Sequence, residues 1–257
     1  VEDEGAEDLL QSIEKKLLQR RHREPIRVEV LTNTRGPLAR WLEQEFRLDE
    51  QFWYAVRGPL HLKQFFELVG KARLPELLEP AWPAVEPAAF SEHNSVFDAI
   101  SAKGTILVAP PFHSFSPVVR LLQQAADDPD VLAIKQTLYR VSGNSPVVRS
   151  LQRAAENGKQ VTVVVELKAR FDEGNNIAWA RLLEESGAHV VYGVAGLKVH
   201  SKALLVVRRE DGAIRRYVHL STGNYNDKTA ALYTDLGIMS SDPDLCFDVA
   251  NLFNVLT

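Results

Sequence analysis

The segment "VLAIKQTLYRVSGNSPVVRSLQRAAENGKQVTVVVELK", residues 131–168, decides the fold class. Two apolar, β-branched runs, "VLAIKQTLY" and "QVTVVVELK", flank a stretch whose apolar residues recur at helical spacing. Ser145-Pro146 opens that stretch with an N-cap and first-turn pair, and Gly158 closes it. Strand, helix and strand at this spacing imply parallel strands joined by a crossover helix. The rhythm extends both ways. Upstream lie "TILVAPP" and "SPVVRLLQQAA"; downstream lie "NIAWARLLEESG" and "HVVYG". The pattern predicts an α/β fold, a mainly parallel sheet with helices on both faces. It then breaks at "VHSKALLVVRREDGAIRRYVHLS", residues 199–221, which reads as two strands around an Asp-Gly turn. The sheet is therefore expected to be mixed, with His200 in its hairpin section.

Nearer the start, residues 8–21 read as an amphipathic helix and "PIRVEVL" as a strand. "GPLARWLEQEF" and "LHLKQFFELVG" read as short helices, and the basic run "RRHREPIR" as a solvated helix end. "PELLEPAWPAVEPAAF", residues 75–90, is punctuated by proline and is expected to be extended. A domain boundary is placed there, between a smaller α+β part at 1–90 and the α/β part at 95–257.

The 257 residues are 45% apolar and 25% charged, which is ordinary for a soluble protein. Cys246 is the single cysteine, so no internal disulfide and no cysteine-based metal site can form, and a reducing cytoplasm fits. Apolar runs such as "VTVVV" are far too short to cross a bilayer, and no signal-peptide pattern opens the sequence. It begins with Val1, and the expectation is of a fragment of something longer. A net charge of −4 argues against a general nucleic-acid-coating surface but leaves room for a local basic pocket that holds an anion.

Candidate chemistry gathers at strand ends, where open α/β sheets bind ligands. "IKQTLYR" ends at Arg140, and "VELKARFDE" passes Lys168 and Arg170. Guanidinium groups match phosphate oxygens and keep their charge. In "GLKVHSKALLVV", residues 196–207, strand alternation would put His200 and Lys202 on one face, an imidazole beside a fixed positive charge. Beyond the hairpin, "STGNYNDKTAALYTD" offers Gly223 for a tight backbone and Asn224 and Asn226 as amide donors, though a plain polar turn explains it as well. Asp172 and Glu173 would complement a helix N-terminus. His219 reads as a satisfied sheet histidine, while His113 and Tyr139 carry no specific signal.

His200-x-Lys202 followed by the Asn-rich glycine turn resembles the His–x–Lys motif of the phospholipase D superfamily, in which the histidine carries a phosphoryl group. The acid usual five residues after the lysine is replaced by Val207. That departure counts against a plain phosphodiesterase. "VLAIKQTLYR", "ENGKQVTVVVELKARFDEGNNIAWARLLEESGAHVVYG", "GLKVHSKALLVVRRE" and "YVHLSTGNYNDKTAALYTDLG" together resemble the type-1 polyphosphate kinase family, in order and spacing. The resemblance is close from about residue 95 to 257, a phospholipase-D-like mixed β-sheet flanked by helices. Residues 1–90 are similar, more loosely, to the end of that family's head domain. The family's N-terminal helical domain and second phospholipase-D-like domain find no match here.

The resemblance implies reversible transfer of ATP's terminal phosphate to inorganic polyphosphate, with Mg2+ and a phosphohistidine at His200. Lys202 would assist it, Arg140 and Arg170 would meet phosphate and, through it, magnesium, and Tyr233 would pack on the nucleotide. Asn224 and Asn226 would support the site. ATP, ADP and polyphosphate are the implied partners, with no membrane segment and no specific nucleic acid. A cytoplasmic location follows, leaving room for peripheral membrane association of the full-length family protein and for a homo-oligomer through its other domains. Activity of this chain alone is expected to be impaired. The alternatives are a non-catalytic polyphosphate-binding module and a phospholipase-D-like phosphodiesterase.

Overall fold

Chain order and spatial order diverge in this molecule, and the divergence is what builds the site. The computed structural model describes residues 6–20, 23–34, 36–47, 49–80, 82–141, 145–167, 173–194 and 197–257. Two units divide the chain: Lys16–Ala81, and Val1–Lys15 together with Trp82–Thr257.

Helix α1 (Ala6–Arg20) follows the expected amphipathic pattern. In the smaller unit, β1 (Val28–Leu31) pairs in parallel with β2 (Trp53–Val56), Val28 opposite Trp53, and α2 (Pro37–Phe46) is the crossover. A parallel pair needs such a connection, and Pro37 at the first turn starts the helix without forfeiting a hydrogen bond. Helix α3 (Phe65–Lys71) follows a 3-10 turn at Leu62–Gln64. The stretch 75–90 is less extended than its prolines predict. Pro75–Leu77 forms a 3-10 turn, and α4 (Ala88–Ser91) begins straight after Pro87. Both prolines stand at helix starts, where a missing N–H costs nothing.

The larger unit holds α5 (Val96–Lys103), β3 (Thr105–Val108), α6 (Ser116–Asp127), β4 (Val131–Leu138), α7 (Pro146–Glu156), β5 (Gln160–Val165), α8 (Glu173–Glu185) and β6 (His189–Tyr192). Then come β7 (Ala203–Glu210), β8 (Ala213–Ser221), α9 (Asp227–Ala230), β9 (Gly237–Ser240) and α10 (Pro243–Leu256). Seven strands form one sheet in the order β3-β9-β8-β7-β4-β5-β6. It is mixed, as the hairpin implied, but not mainly parallel: only β4, β5 and β6 run parallel, and the remaining pairings are antiparallel. The hairpin and β9 fill the space between β3 and β4, so the first strand of the apparent repeat sits on the far edge. Asp211 (φ 49°) and Gly212 (φ 79°) make the hairpin turn with positive φ at both central positions.

Helices cover both faces. On β8, Tyr217 turns towards α5 and meets Phe97 edge-on at 4.8 Å. Val218 turns the other way, into a cluster with Val164, Leu205, Cys246, Val249 and Phe253 beneath α10. Val207, half-buried, packs against that same cluster. Among the described residues, no helix is long and apolar enough to cross a membrane.

One consequence of topology matters most. Because β7 runs antiparallel to β4, with Leu204 opposite Gln136, the start of β7 lies at the carboxyl ends of β4 and β5.

Candidate active site

Strand β7 begins at Ala203, so His200 and Lys202 sit in its lead-in and not on the strand. The reason is a hydroxyl. Thr137 Oγ1 donates to Ser201 O at 2.8 Å and accepts from Ala203 N at 3.0 Å, taking the place of a backbone ladder. The lead-in therefore loses strict alternation. His200 and Ser201 are exposed, while Val199 and Lys202 are buried. The two residues meet differently from the one-face expectation: the Lys202 ammonium curls back and donates to His200 O at 2.6 Å.

Tyr139, just past β4, is the hub. Its ring lies edge-on to that of His200 at 5.1 Å. Lys198 Nζ stands 5.0 Å from the Tyr139 ring centre, Lys202 Nζ 5.4 Å and Arg140 Cζ 5.4 Å. Aromatic faces attract cations, so one ring gathers three positive groups beside an exposed imidazole. Partial burial first, then the charges of Lys202, Lys198 and Arg140, hold the His200 ring below its ordinary pKa of 6.5. Glu166 pulls the other way. Burial likewise depresses the Lys202 ammonium, with Lys198 adding to it and Asp235 opposing.

The strand ends are tied by buried polar groups. Glu166 N donates to Leu138 O at 2.9 Å, and the Glu166 carboxylate accepts from Val199 N at 2.8 Å. Asn176 of α8 donates to Tyr139 O at 2.7 Å and to Glu166 O at 3.0 Å. Glu166 and Asn176 are only 2% and 3% exposed. His200 thus hangs on a segment anchored one residue before it.

Arg170 lies outside the described residues, as do Lys168 and Asp172; Glu173 opens α8. Asn226 caps α9, accepting from Lys228 N and Thr229 N. Asn224 lines a small pocket with His219, Ser221, Gly223 and Asp235, its Oδ1 buried with no hydrogen-bond partner among the described residues. Gly223 is needed for close approach: a Cβ there would fall 2.6 Å from Asp235 Oδ2. Asp235 accepts from Thr222 Oγ1 at 2.7 Å. Tyr233 is 64% exposed, two residues before it. His219 is a buried sheet histidine whose Nδ1 lies 3.0 Å from Tyr225 Oη, and burial takes its pKa down to about 4. His113 closes a turn, its Nδ1 accepting from Ala109 N at 3.1 Å.

Sequence reading missed Lys198, Glu166, Asn176 and Asp235. Two left a trace: Lys198 extends the motif to Lys-x-His-x-Lys, and Glu166 interrupts an apolar strand at its carboxyl end. Among the described residues no group of three or more His, Cys, Asp or Glu side chains is set to hold a metal ion. Lys198, Lys202 and Arg140 are cations, which cannot ligate magnesium, so these three residues do not fit it as a protein-held ion.

The family described as "Polyphosphate kinase C-terminal domain 1" matches residues 95–257, the stretch that carries the sheet and the His200 cluster. The chain belongs to the polyphosphate kinase family. The family's middle domain matches residues 1–68. The polyphosphate kinase of Exiguobacterium sibiricum is 49% identical over 99% of this chain and 36% of its own length. That of Pseudomonas aeruginosa is 45% identical over 100% of this chain and 37% of its own. The crystal structure of polyphosphate kinase from Porphyromonas gingivalis superposes with a TM-score of 0.74 at 31% identity, covering 91% of this chain and 36% of that one. This polyphosphate kinase family chain therefore spans just over a third of the length of these relatives.

Proposed function

We propose that His200 accepts a phosphoryl group from ATP and passes it to inorganic polyphosphate, as one part of a reversible polyphosphate kinase. The observation that carries this reading is the exposed imidazole amid three cations on Tyr139. A ring nitrogen's lone pair forms the P–N bond as the bond from the γ-phosphorus to the bridging oxygen breaks, and that electron pair leaves with ADP. A terminal oxygen of polyphosphate then takes the phosphoryl group, and the ring nitrogen regains its pair. Phosphoryl transfer asks mainly for placement and positive charge on the equatorial oxygens, which Arg140, Lys198 and Lys202 would supply. The depressed pKa of His200 leaves more of the ring neutral, and so nucleophilic, at a given pH than an ordinary histidine would be.

Arg170 is proposed as a further phosphate contact, Tyr233 as the nucleotide's packing surface, and Asn224 and Asn226 as supports of the turn behind the site. Magnesium would arrive on the phosphates of the substrate and not on protein ligands. The working boundaries remain 1–90 and 95–257, and the proposed setting is a reducing cytoplasm. Substrates and any assembly of the whole protein belong to the same proposal.

Incubation with γ-labelled ATP and magnesium tests it. Acid-labile, alkali-stable label should appear on the chain and vanish in His200→Ala. Polyphosphate binding that survives His200→Ala, with no label on either chain, would instead make this a binding module.

A further inference from the structure

Glu166 stands at the end of β5, 2% exposed, its carboxylate accepting from the N–H of the residue before His200 and its backbone carbonyl held by Asn176. Among the described residues, the charged and titratable groups that bear on His200 are Lys198 and Lys202 from its own segment, Tyr139 and Arg140 from the end of β4, and Glu166 from the end of β5. Three of these are cations. Attack on phosphorus turns the neutral ring into a phosphoimidazolium, so positive charge grows on the ring in an already positive setting.

We infer that Glu166, held by Asn176, is a positioning residue that fixes the His200 segment against the joined ends of β4 and β5 and offsets the charge the ring gains on phosphorylation. This rests on the reading of His200 as the acceptor. Two links carry it. One is mechanical: the bond from Val199 N fixes where the His200 backbone starts, and the two bonds of Asn176 keep the β4 and β5 ends from parting. The other is electrostatic: Glu166 acts on His200 in the opposite sense to its cationic neighbours.

The two links separate by substitution in the 257-residue chain. Glu166→Gln keeps an acceptor for Val199 and removes the charge. Its Val199 amide should exchange hydrogen as slowly as in the parent, while the ring-nitrogen NMR midpoint of His200 falls. Labelling from ATP should slow several-fold, because a less basic ring nitrogen is a weaker nucleophile. Glu166→Ala and Asn176→Ala should speed Val199 exchange by about tenfold, as expected for a lost buried hydrogen bond. An unmoved His200 midpoint and an unchanged labelling rate in Glu166→Gln overturn the inference, and that isosteric variant decides even if the alanine forms do not fold. A parent that takes no label, while Glu166→Gln still shifts His200, would sink the acceptor reading and with it the charge-offsetting role, leaving only the anchoring of the His200 segment.

Discussion

The two ends of the β7–β8 hairpin are both rich in cations, and they treat them in opposite ways. At the turn end, Arg208 meets Asp128 and Glu210, each at 2.7 Å, and Arg215 meets Glu210 at 3.3 Å. Tyr217 Oη donates to Glu210 at 2.6 Å. Burial pushes the Glu210 carboxyl up, but the bonds from Tyr217 and Arg208 outweigh it and hold its pKa below the ordinary value. At the open end, Lys198, Lys202 and Arg140 converge on the face of Tyr139, and an exposed histidine bears their field. In the more heavily charged sequence, "RREDGAIRR", Arg208 and Arg215 are paired with carboxylates. On the proposed reading, charge serves a site where it gathers beside an exposed imidazole, and serves the scaffold where it is locked in ion pairs.

The contrast can be broken at either end. The largest effect is expected from Lys198→Met combined with Lys202→Met. At roughly 1 kcal/mol per ammonium near a phosphate, polyphosphate binding at low salt should weaken about thirtyfold. The salt dependence of that binding should become shallower as well. Glu210→Gln at the turn end should do the reverse. Unfolding stability should drop by about 1.5 kcal/mol, as for a partly buried charged hydrogen-bond partner, with polyphosphate binding unchanged. Denaturant titration and a binding isotherm on the same two variants decide the matter, and any swap of outcomes between the ends dissolves the distinction.

How much of this was legible in the sequence depends on range. The strand–helix rhythm, the Asp-Gly hairpin turn and the Ser145-Pro146 helix start are local, and local chemistry alone dictates them. The strand order is not local. β3 looked like the first member of a parallel run because nothing in "TILVAPP" announces β9, its antiparallel partner more than a hundred residues later. The site followed the same rule. His200, Lys202 and Arg140 were visible as types at strand ends, and the fold brings them together. Their placement was misread because a side chain, Thr137 Oγ1, ends the β4–β7 ladder where backbone pattern predicts that it continues. Asn176 had no sequence signal at all: an asparagine in a helix's first turn reads as a polar helix start until the carbonyls of Tyr139 and Glu166 arrive beside it.

Whether the open end is a phosphoryl-accepting surface is read most directly by a ring-nitrogen NMR titration of His200, with and without tripolyphosphate. Without the anion, the midpoint should lie below 6.5, because burial and neighbouring cations disfavour the protonated ring. With it, the midpoint should rise, as phosphate oxygens neutralise the lysines and arginine, while buried His219 and the Arg208–Glu210 cluster stay unchanged. A His200 midpoint at or above 6.5 in the free chain, or one indifferent to tripolyphosphate, would contradict the account.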